Sequence, residues 1–265
     1  MQFESNILEI DNLSKYFGGL AAVSNCSLKI KKGTITGIIG PNGSGKTTLF
    51  NLIAGNLKTT NGNVFFNDEN ITNFPSYQLF SKGLLRTFQI AHEFTNLTVL
   101  ENLMMVPGNQ SGENLVTALL KPKLVEKEEE SIKAKALDVI EFLNLKHLTN
   151  ELAGNLSGGQ KKLLELGRTM MVDAKLVLLD EVGAGVNRSL LKDLGTAILR
   201  LNKEKGYTFC MIEHDMDFIS RMCNPVIVMS EGSVLFEGTS EEVKKNERVI
   251  ESYLGRTNRK EREIN

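Results

Sequence analysis

The residues best suited to chemistry in this sequence form the string GPNGSGKT at positions 40–47. Glycines let a loop curl so that successive backbone N–H groups point at phosphate oxygens, while a lysine reaches the outer phosphates and a threonine hydroxyl binds Mg²⁺. The string therefore predicts a phosphate-binding loop. The residues predicted to bind nucleotide phosphates here are Gly40, Pro41, Asn42, Gly43, Ser44, Gly45, Lys46, Thr47 and Thr48.

The segments on either side of this loop are of the kinds that such a loop needs. TITGIIG (34–40) is an almost wholly apolar run typical of a buried strand, and KTTLFNLIAG (46–55) has the spacing of an amphipathic helix. A strand, a glycine-rich loop and a helix form the opening unit of a nucleotide-binding α/β domain. A glycine-rich turn without a ligand is the plainer alternative, and these flanking segments argue against it.

A second chemical feature is the pair of carboxylates that ends the apolar run LVLLDE (176–181). An aspartate at the end of a buried strand beside a phosphate loop is placed to hold Mg²⁺, so Asp180 is the candidate for that role. Side chains alternate direction along a strand, and Glu181 can therefore point away from the Mg²⁺ ligands. We expect Glu181 to act as general base on a water molecule that attacks the γ-phosphate.

A third feature is the string LSGGQ (156–160) at the head of the helical run LSGGQKKLLELGRTMM. The Ser157 hydroxyl can cap free N–H groups, glycines let a ligand approach the backbone, and the helix dipole favours negative charge. These properties predict a second anion site, although the loop at 40–47 already provides one. The question is then whose phosphate the second site holds.

The order of the predicted elements places these features in an α/β protein. Strand and helix patterns alternate, which predicts a largely parallel sheet, after an N-terminal part made of strands and turns. The predicted strands and hairpins cover 7–13, 26–30, 34–40, 64–72, 174–181, 207–214 and 224–238, and the predicted helices cover 46–55, 131–145 and 189–206. Between about 75 and 172 the pattern is mostly helical, which indicates a helical insertion into the sheet.

Composition argues against several classes of protein. Hydrophobic residues make up 41% of the 265 and charged residues 24%, which is ordinary for a soluble protein with a core. The net charge of −1 shows no excess of positive charge of the kind that binds nucleic acid. Apolar runs fall short of the roughly 18–20 residues that a membrane helix needs, and MQFESNILEI lacks the pattern of a signal peptide. Cys26, Cys210 and Cys223 are scattered, so we expect reduced core thiols.

With these motifs together, the chain resembles the nucleotide-binding subunit of an ATP-binding-cassette (ABC) transporter. The resemblance implies a P-loop ATPase of the ABC type, with an N-terminal antiparallel β part and an inserted helical subdomain. It also implies that two subunits pack head to tail, each LSGGQ closing over the ATP that the other subunit's phosphate loop holds. By this resemblance the second phosphate belongs to the partner subunit. The residues that would act on it are Ser157, Gly158, Gly159 and Gln160.

Further residues match the family's marks in order and spacing. Phe17 matches the aromatic residue that stacks on adenine, and Gln89 matches the glutamine that reaches Mg²⁺ and the attacking water. His214 matches the histidine that contacts the γ-phosphate, and VGAGVN (182–187) matches the loop that crosses to the partner subunit. The resemblance covers residues 6–255 as one ATPase domain, with the helical insertion at about 75–172, and leaves 256–265 as a polar tail.

Two departures from the family pattern and three similar stretches indicate which branch of the family this chain resembles. The residue after Glu181 is usually proline and is Val182 here, and the crossing loop commonly ends in aspartate where this chain has Asn187. The stretches KYFGGLAAV (15–23), RTFQ (86–89) and VIESYLG (249–255) are similar to importers of branched-chain amino acids. Urea and amide importers look similar as well, as does the lipopolysaccharide exporter ATPase, although that one lacks RTFQ.

The resemblance implies an ATPase that uses ATP and Mg²⁺ to energise an importer of branched-chain amino acids. Its implied partners are a second ATPase subunit, membrane permease subunits and, indirectly, a solute-binding protein, with no nucleic acid. Its implied place is peripheral, on the cytoplasmic face of the cell membrane. Two alternatives stay open: a soluble cassette ATPase of translation or DNA repair, and a regulatory cassette that binds ATP without hydrolysing it.

Overall fold

The computed structural model describes residues 5–87, 93–108, 110–183 and 186–253. The strands are β1 (Asn6–Phe17), β2 (Leu20–Lys31), β3 (Ile35–Ile39), β4 (Asn61–Phe66), β5 (Glu69–Asn70), β6 (Leu84–Arg86), β7 (Leu176–Asp180), β8 (Thr208–Ile212), β9 (Val226–Ser230) and β10 (Ser233–Gly238). The helices are α1 (Lys46–Ile53), α2 (Ser76–Lys82), α3 (Val99–Met104), α4 (Leu115–Leu120), α5 (Pro122–Phe142), α6 (Gly158–Met170), α7 (Arg188–Lys205), α8 (Met216–Met222) and α9 (Ser240–Lys245).

The larger sheet carries most of the predicted chemistry. Its strand order is β10-β9-β3-β8-β7-β6, and every neighbouring pair is parallel except β10 with β9. The strands β3, β7 and β8 are buried at every position, which explains their nearly continuous apolar sequences. Because β3, β8, β7 and β6 run in one direction, the segments that follow them all leave from the same edge of the sheet.

The smaller sheet is antiparallel, with strand order β2-β1-β4-β5. Its apolar side chains join those of α1 and of the central strands of the larger sheet in one buried cluster. Members of this cluster include Leu8, Leu13, Phe50, Leu178 and Cys210. The predicted N-terminal antiparallel part and the predicted parallel sheet are both confirmed. All three cysteines are free and buried, and burial raises the pKa of Cys26 and Cys223 to about 12.

Two hairpins turn through two residues that both have positive φ. The first turns at Asn67 (φ 46°) and Asp68 (φ 63°), within the hairpin predicted at 64–72, and the second turns at Glu231 (φ 49°) and Gly232 (φ 80°), within the hairpin predicted at 224–238. Turns of this kind match the right-handed twist of the strands they join. The first connects β4 to β5 and the second connects β9 to β10.

The helix predictions are confirmed in position, with two differences. The helix predicted at 131–145 begins earlier, at Pro122, because proline fits the first turn of a helix and the charged run 126–130 continues it. The segment 84–86 was expected to belong to the helical stretch and is instead the edge strand β6. Three residues are too few to show a strand period, so the strand had no signal in the sequence.

The described residues divide into two units. One comprises the described parts of Met1–Arg86, Lys175–Gly183 and Leu199–Asn265, and it holds both sheets. The other comprises the described parts of Thr87–Ala174 and Ala184–Ile198 and is helical. In this helical unit α3, α5 and α6 pack together, and Gly167 lies where a larger side chain would meet Leu143 and Val139.

Candidate functional site

The phosphate loop leaves the end of β3 and enters α1, as the sequence predicts. Two of its glycines are required by shape. Gly40 has φ +151°, and a Cβ there would lie 2.2 Å from the carbonyl oxygen of Met229; Gly45 has φ +99°, and a Cβ there would lie 2.4 Å from that of Ala22. Both are left-handed conformations against a neighbouring backbone, so only glycine fits.

The first turn of α1 offers its N–H groups to an anion. Gly45 precedes the helix and has no side chain that could cap it, and within the described ranges no side-chain cap is formed there. The first turn also carries no acidic residue. Uncapped N–H groups and the positive end of the helix dipole make a phosphate site.

Lys46 is folded onto the loop that it belongs to. Its Nζ donates to the carbonyl oxygens of Gly40 at 2.8 Å and Pro41 at 3.1 Å, and to Ser44 Oγ at 3.4 Å. The residue is only 6% exposed. Its ammonium group therefore already lies within the curl of the loop, where phosphate oxygens can replace carbonyl oxygens as its acceptors.

Asp180 ends β7 and is paired with an arginine. Arg86, the last residue of β6, donates from Nη2 to Asp180 Oδ2 at 2.7 Å and from Nη1 to Asn51 Oδ1 at 2.5 Å. Asn51 lies on α1, five residues after Lys46. The sequence showed Arg86 only as part of RTFQ, and the ion pair could not be foreseen because β6 itself had not been predicted.

Glu181 follows Asp180 and contacts His214. His214 lies two residues after the end of β8, and its Nε2 is 3.0 Å from Glu181 Oε1. The backbone N–H of Glu181 donates to the carbonyl oxygen of Ile212 at 2.9 Å. The backbone of Glu181 has φ +48°. A positive φ is uncommon for glutamate, and such conformations cluster at functional sites. The predicted base and the predicted γ-phosphate contact thus come together on neighbouring strands.

Glu213, the residue before His214, is a buried carboxyl group that was not among the predicted site residues. Its Oε1 accepts from the N–H of Gly183 at 2.7 Å, and its Oε2 accepts from the N–H of His214 at 3.3 Å. Burial raises the pKa of Glu213, and the nearby Glu181 carboxylate adds to this, while the two backbone N–H donors and His214 oppose it. Glu213 thus joins the segment after β7 to the segment after β8. The sequence offered one signal for this role, an acidic residue at the end of an apolar strand.

Phe17 lies at the end of β1 and is 47% exposed. The Nζ of Lys15 lies 5.2 Å from the centroid of its ring and also donates to the carbonyl oxygen of Lys58 at 2.8 Å. An exposed aromatic ring is a suitable surface for stacking a base. The exposure of Phe17 argues against a place in the core.

LSGGQ begins α6 in the helical unit. Ser157 Oγ accepts from the N–H of Gln160 at 3.4 Å, and Gln160 Oε1 accepts from the N–H of Ser157 at 2.8 Å, so the two residues form a capping box. Ser157 and Gly158 are exposed, whereas Gly159 is buried. A Cβ on Gly159 would lie 2.5 Å from Leu190 Cδ1, so packing against α7 also requires this glycine.

The two departures from the family pattern have structural roles. Asn187 Oδ1 accepts from the N–H of Leu190 at 2.9 Å and caps the first turn of α7. Val182 is buried. Gln89 and the residues 184–185 of the predicted crossing loop lie outside the described residues, as does the tail 256–265.

Asp180 and Thr47 are the described residues that could hold a Mg²⁺ ion. Among the described residues there is no group of three or more His, Cys, Asp or Glu side chains that could hold a metal ion. Mg²⁺ is usually held by one or two carboxylates together with substrate phosphates. Asp180 is a buried carboxylate, and the Thr47 side chain is at the exposed head of α1 beside the phosphate loop.

In the described parts of the chain, no helix is long and apolar enough to span a membrane.

Family comparisons agree with this site. A family model described as ABC transporter matches residues 23–184, and one described as branched-chain amino acid ATP-binding cassette transporter matches residues 233–257. The probable branched-chain amino acid transport ATP-binding proteins LivG of Archaeoglobus fulgidus and of Methanocaldococcus jannaschii are similar to this chain. The first is 44% identical over 249 residues, covering 94% of this chain and 95% of the relative. The second is 42% identical over 259 residues, covering 96% and 100%.

A solved structure shows the same fold. It is the ADP conformation of an ATP-binding cassette of an ABC transporter, with a TM-score of 0.80, 40% identity, and coverage of 95% of this chain and 99% of that one. The family implies nucleotide binding, in agreement with the phosphate loop found here. On these matches and on its motifs, the chain belongs to the ATP-binding cassettes of the ABC transporter family.

Proposed function

We propose that this chain is the ATP-hydrolysing subunit that energises a membrane importer of branched-chain amino acids. The observation that carries the proposal is the convergence at one sheet edge. The phosphate loop follows β3, Asp180 ends β7 and Glu181 follows it, His214 follows β8, and these three strands are neighbours. The names of the relatives support the solute class.

In the proposed reaction the loop N–H groups and Lys46 hold the phosphates of ATP, and Phe17 stacks on adenine. Mg²⁺, when bound by Asp180, Thr47 and Gln89, would neutralise charge on the outer phosphates. A water molecule attacks the γ-phosphorus and loses a proton to Glu181, while the bond from that phosphorus to ADP breaks. His214 contacts the γ-phosphate and, through its contact with Glu181, positions the base.

We further propose that two cassettes close head to tail around two ATP molecules. Ser157, Gly158, Gly159 and Gln160 would then act on the ATP that the partner subunit holds. The exposed Ser157 and Gly158 at the head of α6 support this, because an anion could approach them from outside the chain. A permease on the cytoplasmic face of the membrane would receive the motion, and a solute-binding protein would deliver the amino acid.

The dimer is tested with Glu181→Gln, which should retain ATP. We expect MgATP to double its mass in light scattering, and Ser157→Arg in the same background to prevent the doubling. Ser157→Arg also removes a helix cap, so Thr239→Arg is the matched control, because Thr239 forms the same capping box with Glu242 at the head of α9. A dimer that survives Ser157→Arg, or that is lost equally in Thr239→Arg, contradicts the role in trans.

The transport function is tested by reconstituting the chain with the permease subunits that copurify with it. We expect vesicles to take up leucine in an ATP-dependent manner and to leave urea outside, and Lys46→Ala to abolish uptake. Uptake of urea instead of leucine would assign the chain to the amide importers. ATP hydrolysis without uptake of either solute would contradict the proposed solute class.

A further inference from the structure

The ion pair between Arg86 and Asp180 is buried. The Arg86 side chain is 11% exposed and the Asp180 side chain 4%. Removing two charges from water is costly, and the attraction between them offsets that cost only when the remaining donors and acceptors are also satisfied. A buried pair at a proposed metal ligand therefore needs an explanation beyond the stability of the fold.

Arg86 is incompletely satisfied in this arrangement. Its Nη1 and Nη2 atoms donate to Asn51 and Asp180, but within the described residues Nε is buried and has no hydrogen-bond partner. The guanidinium therefore gives Asp180 a single N–H group, not the two parallel ones of a bidentate pair. Such a pair is weaker than the geometry of arginine allows, and it can be broken at a lower cost.

The position of the pair matters because Arg86 connects two elements of the proposed site. Asp180 ends β7, Asn51 lies on the helix that follows the phosphate loop, and Arg86 bridges the two from the neighbouring edge strand β6. The guanidinium thus fixes the carboxylate relative to α1. It also occupies Oδ2, one of the only two oxygens that Asp180 could offer to a metal.

We propose that Arg86 is a positioning residue that holds Asp180 until a divalent metal arrives with the nucleotide, and then releases the carboxylate to it. The inference rests on the proposed function, because it takes Asp180 as the Mg²⁺ ligand. A guanidinium and a divalent cation cannot both stay close to one carboxylate without strong repulsion, so they compete for it. Asp180 is thereby kept in place beside α1 in the absence of nucleotide, and the metal site forms only when nucleotide phosphates supply the other ligands.

Metal titration tests the exchange without relying on turnover. Mn²⁺ is titrated into the protein saturated with ADP, and bound Mn²⁺ is measured by electron paramagnetic resonance. In Arg86→Gln the competing charge is gone, so we expect the half-saturating Mn²⁺ concentration to fall by about tenfold, which corresponds to about 1.4 kcal/mol in binding free energy. An unchanged or higher half-saturating concentration overturns the proposal.

Two further variants separate exchange from a purely structural role. Arg86→Lys keeps a positive charge on a shorter donor, and we expect a half-saturating concentration closer to that of the wild type than Arg86→Gln gives. Arg200→Gln breaks an exposed ion pair with Glu204 on α7, and we expect no change. A purely structural role would lower thermal stability in Arg86→Gln without moving the Mn²⁺ titration.

Asp180→Asn distinguishes failure of the inference from failure of the proposed site. If Asp180→Asn weakens Mn²⁺ binding while Arg86→Gln leaves it unchanged, the exchange is wrong and the metal site stands. If Asp180→Asn also has no effect, Asp180 is not the metal ligand and both proposals fall. If Arg86→Gln does not fold, Arg86→Met, which also removes the charge, takes its place, and a half-saturating concentration equal to that of the wild type contradicts the exchange.

Discussion

The Nε2 atom of His214 lies 3.0 Å from Oε1 of Glu181, on segments that follow the neighbouring strands β8 and β7. A carboxylate accepts hydrogen bonds, so the tautomer of His214 that carries a proton on Nε2 can donate to Glu181. In this arrangement the proposed general base is already engaged by a side chain. A water molecule that approaches the γ-phosphate must share the carboxylate with His214 or displace it, which makes the two residues one functional unit.

Glu181→Gln tests the base. Glutamine keeps the size of the side chain and a hydrogen-bonding oxygen but cannot accept the proton of the attacking water. We expect phosphate release to fall by about a hundredfold or more, the range in which a lost general base acts, while ATP binding is kept. Steady-state phosphate release and equilibrium binding of a fluorescent ATP analogue measure the two effects.

The matched control for this prediction is Glu204→Gln on α7, which removes a carboxylate from an exposed ion pair with Arg200. Its turnover should equal that of the wild type. Normal turnover in Glu181→Gln would remove Glu181 from the role of base, and loss of ATP binding would mean that its charge serves the nucleotide rather than the water.

Glu213 predicts a pH dependence of stability. Its pKa is raised in the folded chain, chiefly by burial, so the folded state binds the proton more tightly than the unfolded state does. The corresponding stability is fully present below the ordinary pKa of 4.5 and is lost as pH rises through the raised pKa. Glu213→Gln stays neutral, and we expect its melting temperature relative to wild type to increase as pH rises from 4.5 through that window.

Comparison of the two proteins at each pH isolates Glu213 from other groups that titrate. The titratable groups that shift the pKa of Glu213 are Glu181 and His214, and both proteins retain them. Glutamine loses at most one acceptor, and the weaker bond, from His214 N–H at 3.3 Å, can be the one given up. Glu247→Gln, at an exposed position, serves as control. A difference in melting temperature that stays constant with pH would contradict the prediction.

Much of the phosphate site could be predicted because its residues are adjacent in sequence. Gly40 to Thr48 form one continuous string between a strand and a helix, and LVLLDE joins two roles in six residues. Periodicity and fixed spacing reveal such local arrangements. Glu181 and His214 were each expected at the end of an apolar strand, but their contact was not predicted.

Contacts between distant residues without a local pattern could not be predicted. Arg86 reaches Asp180 across 94 positions of sequence, and it does so from a three-residue strand. Gly159 was interpreted by what a ligand needs, whereas the structure shows that Leu190 also fills the space beside it. Both depend on which elements become neighbours, which is a property of tertiary packing that sequence period does not encode.

Gly159→Ala tests the packing role of the second glycine of LSGGQ. The new Cβ would lie 2.5 to 2.9 Å from three atoms of Leu190, so helix α7 or the side chain must shift. We expect a loss of about 1–3 kcal/mol in the free energy of unfolding, as for other overpacked sites. Urea denaturation followed by circular dichroism measures it.

Leu190→Ala provides the partner for a double-mutant cycle. With Leu190 shortened, the alanine at 159 has room, so the loss caused by Gly159→Ala should largely disappear. Gly108→Ala is the control, because a Cβ at Gly108 meets nothing within 4 Å. If the loss persists in the Leu190→Ala background, steric contact with Leu190 is not its cause.

Asn187 allows the last departure from the family pattern to be tested as a helix cap. Its Oδ1 accepts from the N–H of Leu190 at 2.9 Å, three residues on, which is the geometry of an N-cap. Asn187→Ala removes the acceptor and should cost about 1 kcal/mol of unfolding free energy. Asn187→Asp restores the residue that the family commonly has; it keeps the acceptor and places a negative charge at the positive end of α7, so it should be at least as stable as the wild type. The two variants share a position and differ in capping ability, so equal unfolding free energies would show that the cap contributes nothing to stability.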